Sequence, residues 1–184
     1  MTATLPELLA AARPVGADLG PGVVRIGITG HVRLAPGSEP LIGAALRAAL
    51  RRSARRLRRT GVHGITCLAP GADQLYAEAL IAEGLAYDVV LPSADYAERE
   101  IPPANRPTFD RLLRRARRVA HAFPTTGELA YEAAGLSMLD ASDRLIAVWN
   151  GSGGGVGGTA AIVEAARRRG MPVERVWPVG AGRA

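Results

Sequence analysis

Leu145-Ile146-Ala147-Val148-Trp149 runs directly into Asn150-Gly151-Ser152-Gly153-Gly154-Gly155-Val156-Gly157-Gly158-Thr159, and a helical pattern then continues to Arg169. Five consecutive apolar residues with β-branched members read as a strand buried on both faces. Glycines let backbone N–H groups approach an anion without side-chain obstruction. A helix starting at Thr159 adds unpaired N–H groups and a positive dipole end, and the Thr159 hydroxyl is expected to cap that helix or bond a phosphate oxygen. A flexible linker has the same composition. The placement between the most apolar strand and a well-formed helix favours a phosphate loop at Gly154, Gly155, Gly157, Gly158 and Thr159. The tract is not the dinucleotide fingerprint, which follows the first strand of its fold. It also lacks the lysine of a P-loop, which excludes ATP hydrolysis by that route.

Outward from this segment, short apolar runs alternate with amphipathic ones. Val23 to Ile28, Gly64 to Leu68, Tyr87 to Leu91, Val119 to Phe123 and Val173 to Trp177 read as the other strands, with Pro92 stopping the third. Leu41, Ile42, Ala45, Leu46, Ala49, Leu50 and Leu57 form one helical stripe closed by a cap at Gly61. Later helices carry Leu75, Ala79 and Ala82; Phe109, Leu112 and Leu113; and Leu129, Ala133, Leu136 and Leu139. Gly84 and Gly170 read as caps, and the proline-rich stretch Ser93 to Pro107 as a lid-like loop. Strands alternating with helices predict an α/β fold, a three-layer α/β/α Rossmann-like domain with a mainly parallel sheet. The domain is expected over residues 22–184, after an N-terminal extension, 1–21, that is loosely ordered.

Composition narrows the function. The 184 residues are 48% hydrophobic, enough for one core, and no apolar run approaches the ~20 residues of a membrane span. The N-terminus lacks a signal-peptide pattern, and one cysteine, Cys67, rules out an internal disulfide framework. The cytoplasm is the expected location. The net charge is +6, and all 23 basic residues are arginine, a bias that fits a GC-rich genome. The arginine runs around Arg47–Arg59 and Arg111–Arg118 read as solvated helix faces; DNA binding would need them to form one continuous stripe.

In parallel sheets ligands bind beyond the carboxyl ends of the strands, where strand order reverses. The unusual residues fall there: Thr29, Gly30 and His31 after the first strand, Gly71 and Asp73 after the second, then the glycine tract. His31 can donate to a phosphate or ribose. Asp73 opens a helix, where a carboxylate is stabilising, and it can equally accept from ribose hydroxyls. Tyr96, Tyr131 and Trp149 offer stacking faces for a base. His31, His63 and His121 are too widely spaced to suggest a metal, and no cofactor is called for.

Ile28-Thr29-Gly30-His31, Gly71-Ala72-Asp73-Gln74-Leu75 with Ala77-Glu78, Ser142-Asp143-Arg144-Leu145-Ile146-Ala147-Val148-Trp149, and Gly157-Gly158-Thr159 together resemble the SLOG superfamily. That group takes in the LONELY GUY phosphoribohydrolases, lysine decarboxylase-like proteins, DNA-processing protein A and nucleotide-sensing domains. The resemblance runs from about residue 23 through Trp177-Pro178-Val179-Gly180-Ala181 and looks closest to bacterial members with a Thr-Gly-His-Arg-type opening, the arginine here displaced to Arg33. It implies a Rossmann-like fold whose glycine loop binds nucleotides, and a homodimer or higher oligomer. The phosphoribohydrolases carry glutamates two and three residues past the motif threonine, where this chain has Ala161 and Ile162. Cleaving an N-glycosidic bond needs a carboxylate to stabilise or trap the sugar cation. The first expectation is therefore a nucleotide-binding module, such as a sensor. The second is an N-glycosidic hydrolase using Asp73, Glu132 or Glu164 as substitute acid, and the third a DNA-binding protein.

Overall fold

A computed structural model describes residues 14–56, 61–153 and 158–184. Its strands β1 (Val24–Gly30), β2 (Val62–Thr66), β3 (Tyr87–Ser93), β4 (Arg118–Phe123), β5 (Arg144–Val148) and β6 (Val173–Val176) form one sheet in the order β4-β3-β2-β1-β5-β6. Every neighbouring pair is parallel. The connections are helical: α1 (Ser38–Arg56), α2 (Ala72–Ala82), α3 (Tyr96–Glu100), α4 (Arg106–Arg115), α5 (Glu128–Asp140) and α6 (Thr159–Arg168), with a 3₁₀ turn at Pro103–Asn105. This is the α/β Rossmann-like architecture expected from the sequence.

Alternation along each strand divides the core in two. Ile26 and Ile28 of β1 face α1, α2 and α4, where Leu46, Leu50, Leu80 and Phe109 are buried. Ile65, Val90, Leu145 and Ala147 face α5 and α6, which contribute Met138, Leu139, Ile162 and Val163. Gly27 lies on this second face, where a Cβ would collide with Met138 Sδ and Ser142 Oγ. α5 can approach β1 so closely only because that side chain is absent. Among the described residues no helix is long and apolar enough to cross a membrane.

Several expected details change. β3 runs on through Pro92 to Ser93, because its register with β2 ends at Val89 and no neighbour on that side needs the missing N–H. The stretch 93–107 is not an open loop: α3 and the 3₁₀ turn fill it, anchored by buried Tyr96 and Ile101. β2 is Val62–Thr66, so Leu68 lies in the following loop. α5 buries Ala130, Ala134, Gly135, Met138 and Leu139, while Leu129 is 70% exposed. It is apolar all round, so periodicity could not select its inner face. Gly84 and Gly170 have positive φ, as helix caps do, whereas Gly61, also expected to be a cap, does not, and Leu57 lies outside the described residues.

Residues 1–13 of the expected N-terminal extension lie outside the described residues, and its remainder is held at the foot of the sheet. Gly16 N donates to Asp88 Oδ2 at 2.7 Å, and Arg117 donates to both Asp88 oxygens at 2.9 and 2.6 Å. His63 Nε2 lies 3.1 Å from Asp88 Oδ1, and the Ala17 carbonyl accepts from Arg117 and Arg118. Asp88 is fully buried, yet these partners hold its carboxyl well below the usual range against the opposing effect of burial. Removing one partner from a buried ionic cluster leaves the others uncompensated. Asp88→Ala is therefore expected to lower unfolding free energy in urea by roughly 3 kcal/mol or more, and a loss below about 1 kcal/mol would show that the cluster is not a structural anchor.

Candidate ligand-binding site

β1 has β2 on one side and β5 on the other, so the chain leaves its carboxyl end in opposite directions and a crevice opens there. A cavity of about 770 Å³ occupies this place. Its walls come from the end of β1, the segments after β1, β2, β3 and β5, the inner face of α5, the first turn of α6, and Arg183 with Ala184. The volume lies in the range that holds drug-sized or nucleotide-sized ligands.

Of the expected site residues, Thr29, Gly30, His31, Asp73, Gly158 and Thr159 line this cavity together. Gly154, Gly155 and Gly157 lie outside the described residues. Gly71 does not line it; it has φ +79°, and a Cβ there would meet the carbonyl oxygens of His31 and Val32 at 2.6 and 2.5 Å. Gly71 thus serves the close contact between the β1 and β2 loops, with Ala72 N donating to His31 O at 3.2 Å. At Gly30 a Cβ would press on Ala72 and on Val148 O, so the β1 end, the β5 end and the start of α2 meet without an intervening side chain.

Asp73 fastens the loop after β2. Thr66 Oγ1 donates to its Oδ2 at 3.1 Å and Cys67 N donates to the same oxygen at 3.0 Å. Thr66 Oγ1 accepts from Leu68 N at 3.0 Å, and Leu68 is held at φ +59° with its side chain buried. A bulky residue in that region costs about 1 kcal/mol or more, and such strain persists only where neighbours over-determine it. Burial pushes the Asp73 carboxyl up to about 6, although hydrogen bonds from Thr66 and from the backbone at Cys67, Ala69 and Leu68 pull it down.

His31 ties β1 to β5. Its N–H donates to Val148 O, its Nε2 lies 3.0 Å from Asn150 Oδ1, and its ring stands edge-on to Trp177 at 5.4 Å. Burial holds it below the usual histidine value, the Asn150 contact opposing and the Arg183 charge assisting, so at neutral pH it carries no full charge. Asn150 Oδ1 also accepts from Ser152 N and Ser152 Oγ at 3.0 and 2.6 Å, which fixes the entry to the glycine tract. At the far end Gly158 is the N-cap of α6 and Thr159 its first residue, with no side-chain capping bond. The Thr159 hydroxyl therefore does not cap the helix as expected.

The stacking candidates Tyr96, Tyr131 and Trp149 all line the cavity, Tyr96 edge-on to Tyr131 at 6.1 Å. Burial raises the Tyr131 hydroxyl, and the Glu100 carboxylate beside it acts in the same direction. Sequence reasoning missed Glu100, Arg33 and Arg183, which also line the cavity. Arg33 stood inside the quoted opening motif, whereas Glu100 and Arg183 carry no local signal. Of the substitute acids considered, Asp73 is in the wall, whereas Glu132 and Glu164 are not, and Glu164 pairs with Arg168 on the outer face of α6. Ile162, at a position where the phosphoribohydrolases have an acid, is buried, and its Cδ1 occupies the space that a Cβ on Gly135 would need. Among the described residues no cluster of three or more His, Cys, Asp or Glu side chains could hold a metal ion.

No family model matches the sequence, and no curated protein matches it. Solved structures do. DNA processing protein A of Streptococcus pneumoniae is 12% identical at a TM-score of 0.60, with 86% of this chain and 52% of that one covered. DNA processing protein A of Helicobacter pylori, described for its single-stranded DNA binding mode, is 15% identical at 0.56, with 87% and 68% covered. The structural-genomics target TM1055 is 18% identical at 0.52, with 82% and 72% covered. The likeness is one of fold, and this chain spans about half the length of the Streptococcus protein.

Because Asp73 titrates higher folded than unfolded, the folded state holds its proton more tightly. Its contribution to stability is complete below about pH 4 and is lost as pH rises through about 6. The stability of the parent relative to Asp73→Asn is expected to fall between pH 4.5 and pH 7, by up to roughly 3 kcal/mol, in urea unfolding at matched pH values. A pH-independent difference would mean that Asp73 does not titrate in this window.

Proposed function

We propose that this protein is a SLOG-type module that binds a nucleotide or nucleotide-derived ligand in the cavity beyond β1 and β5, as a sensor of such a ligand. The observation that carries this reading is the convergence there of Thr29, Gly30, His31, Asp73, Gly158 and Thr159, read separately from distant parts of the sequence, with three aromatic rings. The N-cap of α6 is Gly158, which has no side chain to bond the first N–H groups of the helix, and such groups suit a phosphate. The tyrosines give an aromatic wall for a base, and the buried polar edge at Asp73 suits sugar hydroxyls.

An N-glycosidic hydrolase is the second reading, and the carboxyl of Asp73 in the cavity wall favours it. Against it, Oδ2 is already committed to the β2 loop and Ile162 fills a position where an acid is expected. Single-stranded DNA is the third, suggested by the shared fold of the DNA processing proteins. The two arginine-rich helices do not favour it. α2 packs against both α1 and α4, and its acid Glu78 pairs with Arg111 while Glu83, just past its end, pairs with Arg51. Acids therefore interrupt the stripe that DNA would need.

A thermal-shift panel of nucleoside mono-, di- and triphosphates, ADP-ribose, NAD and cyclic nucleotides tests the reading. A true ligand at a hundred times its Kd is expected to add about 2.7 kcal/mol of stability. Gly158→Asp places a good N-cap at the start of α6 and so keeps the fold, but sets a carboxylate against the phosphate. It is expected to abolish the shift while preserving Tm, and a panel without any hit would sink the proposal. Incubating the hit with the protein and following free base then separates binder from hydrolase.

A further inference from the structure

Residues 178–184 form a strap across the loop between β1 and α1. Gly182 N donates to Ser38 Oγ at 2.9 Å, Ala35 N donates to Gly182 O at 2.9 Å, and Leu34 and Arg183 form an antiparallel bridge. Ser38, almost fully buried, is the fixed post of this contact. The pairing sets Arg183, far away in sequence, opposite Leu34, and Arg183 and Arg33 both line the cavity.

Among the described residues these two are the only arginines lining the cavity, and neither makes an ion pair, whereas Arg51, Arg52 and Arg111 on the helix faces all reach carboxylates. The Arg183 charge reaches into the cavity, where it lowers the His31 value. The cavity acids stand elsewhere: Asp73 is buried in the β2 loop, and Glu100 belongs to α3 beside Tyr131. Two positive charges on the wall of one cavity, neither with an acidic partner, favour an anion inside it. Guanidinium groups match phosphate oxygens in pairs, with fixed geometry.

We infer that Arg33 and Arg183 form a two-jawed clamp for a terminal phosphate or diphosphate group, one jaw supplied by the strap. This rests on the proposed binding function and adds to it the position and charge of the group recognised: a phosphate at the mouth, near the α6 N-terminus, with the rest of the ligand directed towards Tyr96 and Tyr131. Because the strap carries one jaw, ligand binding and strap docking stabilise each other.

The test is calorimetric titration of parent, Arg33→Gln, Arg183→Gln and Arg47→Gln with AMP, adenosine and inorganic pyrophosphate. Arg47, exposed on α1, controls for loss of one positive charge. Losing one charge-assisted contact is expected to weaken AMP and pyrophosphate by about tenfold to hundredfold in the two clamp variants, with adenosine and the Arg47 variant unaffected. Clamp variants that bind both anions as the parent does would overturn the clamp while leaving nucleotide binding intact. Pyrophosphate binding that is lost in the clamp variants, with no nucleotide bound by the parent, would uphold the clamp and defeat the nucleotide reading. If the parent binds neither anion, the clamp is wrong.

Discussion

β1 must have β2 and β5 as neighbours and helices pressed against both faces, and this crowding around one strand governs the rest of the structure. The sequence meets it by leaving side chains out. Gly27 admits α5, and Gly30 lets β5 and the first residue of α2 close around the strand end. The same omission makes the site. Where β1 finishes, the connections diverge and leave a cavity, lined by apolar and aromatic side chains with a few polar groups among them.

Polar groups at the two ends of the sheet meet opposite fates. At the foot, Asp88 is buried with His63, Arg117 and the Gly16 N–H, and stays ionised because charge and donors surround it. At the top, Asp73 is buried with neutral donors only, and burial prevails over them. Asp73 therefore takes up a proton at a higher pH than an exposed carboxylate does, and an anion nearby would raise that pH further. His31, held neutral by burial, adds direction more than charge. Arg33 and Arg183 are the arginines in the cavity wall among the described residues, whereas Arg51, Arg52 and Arg111 on the helix faces are paired with acids.

The sheet and its order of elements were legible because each strand is a short apolar run closed by turn residues, although α2 buries Tyr76, Ala77 and Leu80 and leaves Ala82, expected inward, exposed. The site was legible as a set of strand-end residues, since parallel topology sends Thr29–His31, Asp73 and Gly158–Thr159 to one edge. What failed had physical reasons. α5 has apolar residues on every side, so only its close approach to Gly27 selects the buried face. Pro92 ends a strand by habit but not where the neighbouring strand has already stopped. Ser142 and Asp143, quoted for resemblance, prove to be local fasteners: Ser142 Oγ donates to Met138 O, and Asp143 accepts from the Arg25 backbone and guanidinium. Arg183 could not be assigned to the site from sequence, because only the antiparallel bridge to Leu34 brings it there.

The choice between binder and hydrolase turns on the first turn of α6. A residue three past the motif threonine faces back towards the sheet and α5, so its side chain must suit both the ligand and the helix packing. Here that residue is Ile162, and Gly135 on α5 has no side chain in the space Ile162 takes up. The pair fit each other as apolar packing and both line the cavity, so the wall at this point is apolar where a carboxylate at 162 would have placed a charge. Ile162 is thus tied into the α5–α6 contact through Gly135. Ile162 therefore gives this part of the cavity wall an apolar surface, and Asp73, whose Oδ2 already accepts from Thr66 and from the Cys67 N–H, is the one of the three substitute acids that stands in that wall.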